Sequence, residues 1–200
     1  MRVIPLKRNP AMYSCLSYLV LGEWNRIDDV NTLIDPGIDD FVLTEIERLS
    51  TGFGKVPVEQ IVLTHNHFDH SAGVAAVKRR YGARVLAFSP GPDVDELLYN
   101  AQVIKMGDEL CEILHTPGHS SDSVCIFVQK ERVLFSGDTQ VRILSAGGVY
   151  TEGYLSSLRM LAERRIEKIY SGHDEPVLRD GWQTIARTLS CVMASSIIAT

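Results

Sequence analysis

The sequence predicts a layered α/β architecture with mixed sheets. Three observations carry this. Short apolar runs that read as strands alternate with amphipathic stretches that read as helices. Hairpin-like successions of strands also occur, which a strict βαβ winding does not contain. No repeat, low-complexity tract or Pro/Gly/Ser-rich linker interrupts the 200 residues, so one domain over 1–200 is expected.

The elements follow in order. Residues 18–21 and 31–35 read as strands joined by a polar loop over 22–29. Asp35-Pro36-Gly37 is a turn signal that ends the second strand. Phe41, Val42, Ile46 and Leu49 recur at helical spacing, which predicts a helix over 39–49. Ile61-Val62-Leu63 suits a buried strand within 60–64. The helical period returns over 70–81, and Gly82 stands where a C-cap belongs. Strands are expected over 85–88, 110–115, 123–128 and 133–135. A helix over 154–165, a strand over 168–170 and a closing helix over 182–193 complete the order.

Composition narrows the class. Hydrophobic residues make up 45% and charged residues 22%, ordinary globular values that argue against a disordered chain. The net charge of −5 argues against a large nucleic-acid footprint. No apolar run reaches the roughly 18 residues that span a bilayer. Arg2, Lys7 and Arg8 ahead of residues 11–21 resemble a signal peptide. Ser14, Ser17 and Tyr18 interrupt that run, however, and Gly22-Glu23-Trp24 replaces a cleavage site, so a strand in a cytoplasmic protein is expected. Cys15, Cys111, Cys125 and Cys191 form no C-x-x-C pair and read as reduced, mostly buried thiols.

The chemistry concentrates after the 60–64 strand, in Thr64-His65-Asn66-His67-Phe68-Asp69-His70. Imidazole nitrogen with carboxylate oxygen suits zinc, iron or manganese. In extended backbone His65 and His67 project to the same side. Asp69 and His70 lie where the chain turns into a helix and can point differently, so one metal can take the first pair and a second the other. With 6 His and 13 Asp in the chain, H-x-H-x-D-H is expected by chance roughly 0.0003 times, so a solvated polar loop is a poor explanation. Three further segments place a ligand-type side chain just past a strand, beside glycine: Gly118-His119, Gly137-Asp138 and Gly172-His173. Strand ends on one sheet edge share a crevice, which joins these single candidates into one site. His115 sits apart, before the Pro117-Gly118 turn, as a packing residue or one that orients a ligand.

This ordered set of segments resembles the metallo-β-lactamase superfamily of binuclear metallohydrolases, over residues 17–178. Asp35-Pro36-Gly37 after an early strand is similar as well. The resemblance implies a four-layer αββα sandwich with the site at one edge. It implies that His65, His67 and His119 hold the first metal, that Asp69, His70 and His173 hold the second, and that Asp138 bridges both. A bridging Asp resembles the glyoxalase II and lactonase branches, whereas true β-lactamases tend to place Cys there. His67 stands where flavo-diiron oxidoreductases of this fold generally carry Glu. Typical glyoxalase II enzymes add a helical domain, and only about 27 residues follow His173 here. They also carry a Gly-Cys-Gly-Arg-like segment, whereas here Thr139-Gln140-Val141-Arg142 follows Asp138. Both departures argue against a dedicated hydroxyacylglutathione hydrolase.

The expected function is a binuclear metal-dependent hydrolase of a small ester, thioester, lactone or related acyl compound. Asp69 and Asp138 are its expected catalytic carboxylates. A hydroxide shared by two divalent ions, zinc first and iron or manganese next, is its nucleophile. The alternative is a mononuclear iron oxygenase resembling persulfide dioxygenases, with His65, His119 and Asp138 as a facial triad. A non-catalytic metal-binding domain is the third reading, disfavoured by the complete ligand set. The expected partner is a small-molecule substrate, with no nucleic acid and no membrane; a homodimer is compatible with the sequence. Residues 142–152, with Tyr150, either border the pocket or form an ordinary surface loop. The 22–29 loop, with Trp24, is either a flap beside the metals or a cover over the core edge.

Overall fold

A computed structural model describes residues 1–24 and 26–199. Two sheets face each other. The first has the order β1-β2-β3-β4-β5-β6 and the second β12-β10-β9-β8-β7. In the first, β1 (Arg2–Pro5), β2 (Tyr18–Leu21) and β3 (Thr32–Ile34) run antiparallel. From β3 onward, β4 (Gln60–Val62), β5 (Arg84–Ala87) and β6 (Glu96–Leu97) are parallel. In the second, β7 (Val103–Met106), β8 (Glu109–His115), β9 (Val124–Val128) and β10 (Val133–Gly137) are antiparallel. Only β12 (Lys168–Ser171) joins β10 in parallel. The mixed sheets are as expected.

Strand alternation builds the layers. Tyr18 and Val20 of β2 point into the core between the sheets, where they meet Ile113, Ile126 and Phe135. Leu19 and Leu21 point the other way, against Val42 and Ile46 of α1 (Phe41–Ile46) and Val74 and Val77 of α3 (Val74–Tyr81). In the second sheet Val124, Ile126 and Val128 face inward. Cys125 and Phe127 face Leu161 of α4 (Glu152–Ala162) and Ile185 of α5 (Gly181–Met193). Period-two alternation on two sheets thus produces an αββα sandwich. Cys15, Cys111 and Cys125 are buried free thiols, and Cys191 is half-buried. Among the described residues, no helix is long and apolar enough to cross a membrane.

Three expectations are corrected. The predicted helix over 70–81 is two: α2 (Phe68–Ser71) and α3 are separated by Ala72 and Gly73. Gly73 packs its backbone against the 36–39 turn, where a Cβ would lie 2.8 Å from the Asp39 carbonyl oxygen. Gly73 N–H donates to the Gly37 carbonyl at 2.8 Å instead of continuing the helical ladder, and α2 is left as a single turn carrying Asp69 and His70. The 39–49 helix shortens to α1, with turns beyond it. Five strands were not readable: β1, β6, β7, β11 (Val149–Thr151) and β13 (Ser196–Ile198), the last two paired in parallel. They are short and lie at sheet edges or in a two-stranded ribbon, where pairing depends on distant partners more than on local pattern.

The 22–29 loop is not a flap over the site. It follows the end of β2 remote from Tyr18, whose hydroxyl reaches the Ser171 carbonyl beside the ligand loops. Glu23 N–H instead donates to Asp108, and Val30 bridges Gly107, at the β7–β8 turn. Trp24 is 80% exposed. Asn25 lies outside the described residues.

Candidate metal centre

All the ligand candidates follow carboxyl ends of strands: Asp35 after β3, the His65–His70 segment after β4, His119 after β8, Asp138 after β10 and His173 after β12. The structure brings all seven expected residues together. His65, His67 and His119 form one triad, with donor atoms within 4.8 Å of one another. Asp69, His70 and His173 form another. His119 Nε2 lies 2.9 Å from His67 Nδ1, and His70 Nε2 lies 3.3 Å from His173 Nε2. Asp138 stands between the triads. Its Oδ2 is 3.5 Å from His119 Nε2, 3.4 Å from His173 Nε2 and 4.0 Å from His65 Nε2, and its Oδ1 is 3.3 Å from His70 Nε2. His173 Nε2 also lies 3.1 Å from Asp69 Oδ2.

The donor set fits divalent ions. Among the described residues His65 Nε2, which is buried, has no hydrogen-bond partner, a costly state for an imidazole unless something else binds it. Burial, followed by the charge of His70, pulls the His65 imidazole down to about 4, which leaves it neutral at pH 7. Burial also lowers His119, against the nearby charge of Asp138. Asp138 is held well below the usual carboxylate range: burial opposes this, but the nearby His173 and His70 imidazoles prevail. Gly172 permits the crowding, since a Cβ there would lie 2.2 Å from Asp138 Oδ1.

Asp35 organises the second triad. Its carboxylate accepts the Thr64 backbone N–H at 2.8 Å, the Thr64 hydroxyl at 2.6 Å and His70 Nδ1–H at 2.8 Å. The last bond orients the His70 ring so that Nε2 faces the triad, where a bound ion would take the place of its proton. Burial opposes a charge on His70, but Asp35 and Asp138 raise its pKa far above the usual histidine range. The segment preceding β2 straps the same triad. Cys15 N–H donates to the Asp69 carbonyl at 3.2 Å and Leu16 N–H to the Gly172 carbonyl at 2.6 Å. The Tyr13 ring stacks on His173 at 4.9 Å, with the planes 10° apart.

His115 is a packing residue. Its ring stacks on Phe88 at 4.2 Å, and its Nε2 donates to the Ser121 carbonyl at 2.8 Å. Two cavities open at the site. One of about 290 Å³ is lined by Gly118, His119, Gln140, Tyr150 and Tyr154. Another of about 240 Å³ is lined by His119, Asp138, Gln140, His173 and Asp174. The 142–152 segment therefore does border the site. Sequence reasoning missed Asp35 as the partner of His70, although an acidic residue at a strand end before Pro-Gly was a signal. Nothing in the sequence marked Tyr13.

Comparison with known proteins agrees with this geometry. A family model described as Metallo-beta-lactamase superfamily matches residues 12–91 and 86–173. A hydroxyacylglutathione hydrolase from Methylobacterium nodulans is 38% identical over 122 residues, covering 57% of this chain and 48% of that protein. An atrochrysone carboxyl ACP thioesterase from Aspergillus fumigatus is 26% identical over 188 residues, covering 88% of this chain and 44% of that protein. The chain thus spans about half the length of these curated relatives. The crystal structure of a metallo-beta-lactamase family protein from Thermus thermophilus has the same fold, with TM-score 0.71 and 20% identity, covering 94% of this chain and 78% of that one. With more than half of its length matched by the family model, the chain belongs to the metallo-β-lactamase superfamily.

Proposed function

We propose that this chain is a metal-dependent hydrolase acting on a small acyl compound, an ester, thioester or lactone, with thioesters the first class to test. The observation that carries the reading is the convergence of two ligand triads on one shared carboxylate, Asp138. His65, His67 and His119 would hold one divalent ion and Asp69, His70 and His173 a second, with Asp138 common to both. Zinc is the proposed ion, and iron or manganese suits the same donors. Bound there, such ions supply an acidified water at neutral pH and a Lewis acid for the substrate carbonyl.

The chain's own groups do the rest. His65 is neutral at pH 7 and offers a free nitrogen. Asp138 is ionised under the same conditions. Asp69 lies beside His173 at the site and orients what binds between the triads. The two cavities share His119 and Gln140, so a substrate carbonyl between them has room for an acyl arm on one side and a leaving group on the other. Their volumes, about 290 and 240 Å³, suit a small molecule. One similar protein is a hydroxyacylglutathione hydrolase and another a carboxyl ACP thioesterase, which supports the choice of first substrate.

The test is a panel of thioesters, lactones and esters offered to zinc-loaded protein under strict anaerobiosis, with elemental analysis alongside. Hydrolysis of at least one class and about two ions per chain are expected. If the zinc form is inert on every acyl substrate while an iron form consumes oxygen with a persulfide, the oxygenase reading replaces this one. A stoichiometry of one under metal-replete conditions removes the shared site.

A further inference from the structure

We infer that Asp122 is a positioning residue for the His65–His67–His119 triad, an inference that rests on the metal reading above. That triad is assembled from two loops on different sheets: the segment after β4 in the first and the 116–123 loop after β8 in the second. Asp122 joins them. Its Oδ2 accepts the backbone N–H of Asn66 at 3.0 Å, and Asn66 lies between His65 and His67. Its Oδ1 accepts the hydroxyl of Ser120 at 2.7 Å, and Ser120 follows His119. One carboxylate therefore touches the immediate chain neighbours of all three ligands. Ser123 completes the corner: its hydroxyl accepts Ser120 N–H at 3.2 Å, while the next residue, Val124, donates to the Thr64 carbonyl at 2.8 Å.

The need for such a strut follows from what the ligands lack. His70 is fixed through its ring, by the bond from Nδ1 to Asp35. His67 and His119 are exposed, and among the described residues neither has a hydrogen bond on its outer ring nitrogen. Their nitrogens are placed through the loops, and Asp122 holds the Asn66 backbone on one side and the Ser120 side chain on the other. Bonds to an ionised carboxylate are stronger than neutral ones, which suits it to hold two loops in register. Groups that orient metal ligands in this way are typically worth about 10–100-fold in metal affinity.

The experiment compares wild type with Asp122→Ala, Asp122→Asn and Ser120→Ala. Zinc competition against a chelator, hydrogen exchange of the metal-free proteins and thermal unfolding are read together. Asp122→Ala is expected to weaken one zinc about 10–100-fold while the other stays near wild type. Faster exchange is expected at the Asn66 amide and around 118–120 without metal. Asp122→Asn, which keeps one acceptor oxygen, should fall between, as should Ser120→Ala; kcat should drop more than KM rises. Zinc affinity and Asn66 exchange within twofold of wild type in Asp122→Ala overturn the inference. So does equal weakening of both ions together with a lowered melting temperature, which marks general destabilisation. If wild type itself takes up no zinc, the metal reading fails, and Asn66 exchange alone then decides whether Asp122 ties the loops.

Discussion

His70 is fully buried with its Nδ1 on Asp35, whereas His67 and His119, across Asp138, stand exposed with no comparable partner among the described residues. The Asp69–His70–His173 triad is braced from beneath by Asp35 and from the side by the strap through Tyr13, Cys15 and Leu16. The His65–His67–His119 triad shares the Asp35 network only at its inner edge, where the Thr64 hydroxyl lies 3.1 Å from His65 Nδ1. Its outer members depend on loop-to-loop contacts. The larger difference is in access: His119 lines both cavities, so the less braced triad is the one a substrate meets on either side. Rigidity is built where the ligands are buried, and openness where chemistry needs an approach.

The largest effect should come from removing what the triads share. Asp138→Ala is expected to abolish turnover and to loosen both ions, because Asp138 lies against ligands of both triads. His115→Ala, at a residue that packs on Phe88, should leave metal content unchanged. Elemental analysis of the two variants decides; loss of metal from His115→Ala but not from Asp138→Ala would reverse the ligand assignment.

Next in size is Asp35→Ala, which strips the buried acceptor from Thr64 N–H, the Thr64 hydroxyl and His70 Nδ1 at once. Removing one partner of a buried charged pair costs about 3–5 kcal/mol, so the urea midpoint should fall accordingly. The ion held by Asp69, His70 and His173 should be lost before the other. A loss below about 1 kcal/mol would mean that Asp35 braces nothing.

The smallest effect sharpens the contrast. Tyr13→Ala removes the ring stacked on His173, and Tyr13 is 72% exposed, so stability should change by no more than the roughly 0.5–1.5 kcal/mol of an aromatic pair. Zinc competition should show a weakening of less than tenfold, confined to one ion. Equal weakening of both ions would show that the strap serves the whole centre.

The candidate ligands and the local period are legible in the amino-acid order. H-x-H-x-D-H, with single ligands beside Gly118, Gly137 and Gly172, named all seven residues that the fold gathers, because donor type and strand-end placement are local properties. The alternation of Tyr18 to Leu21 and of Val124 to Val128 assigned each side chain to one face, since strand geometry has a period of two whatever surrounds it. What the local pattern could not reach are contacts across long separations. His70 and Asp35 are 35 residues apart, Asn66 and Asp122 are 56, and Tyr18 and Ser171 are 153. Only the folded chain shows those, together with Gly73 N–H turned to the Gly37 carbonyl and the Trp24 loop lying away from the centre. Such contacts are set by which strand ends the sheet order brings side by side. That order is fixed by the summed burial of both sheets and both helical layers, not by any one segment.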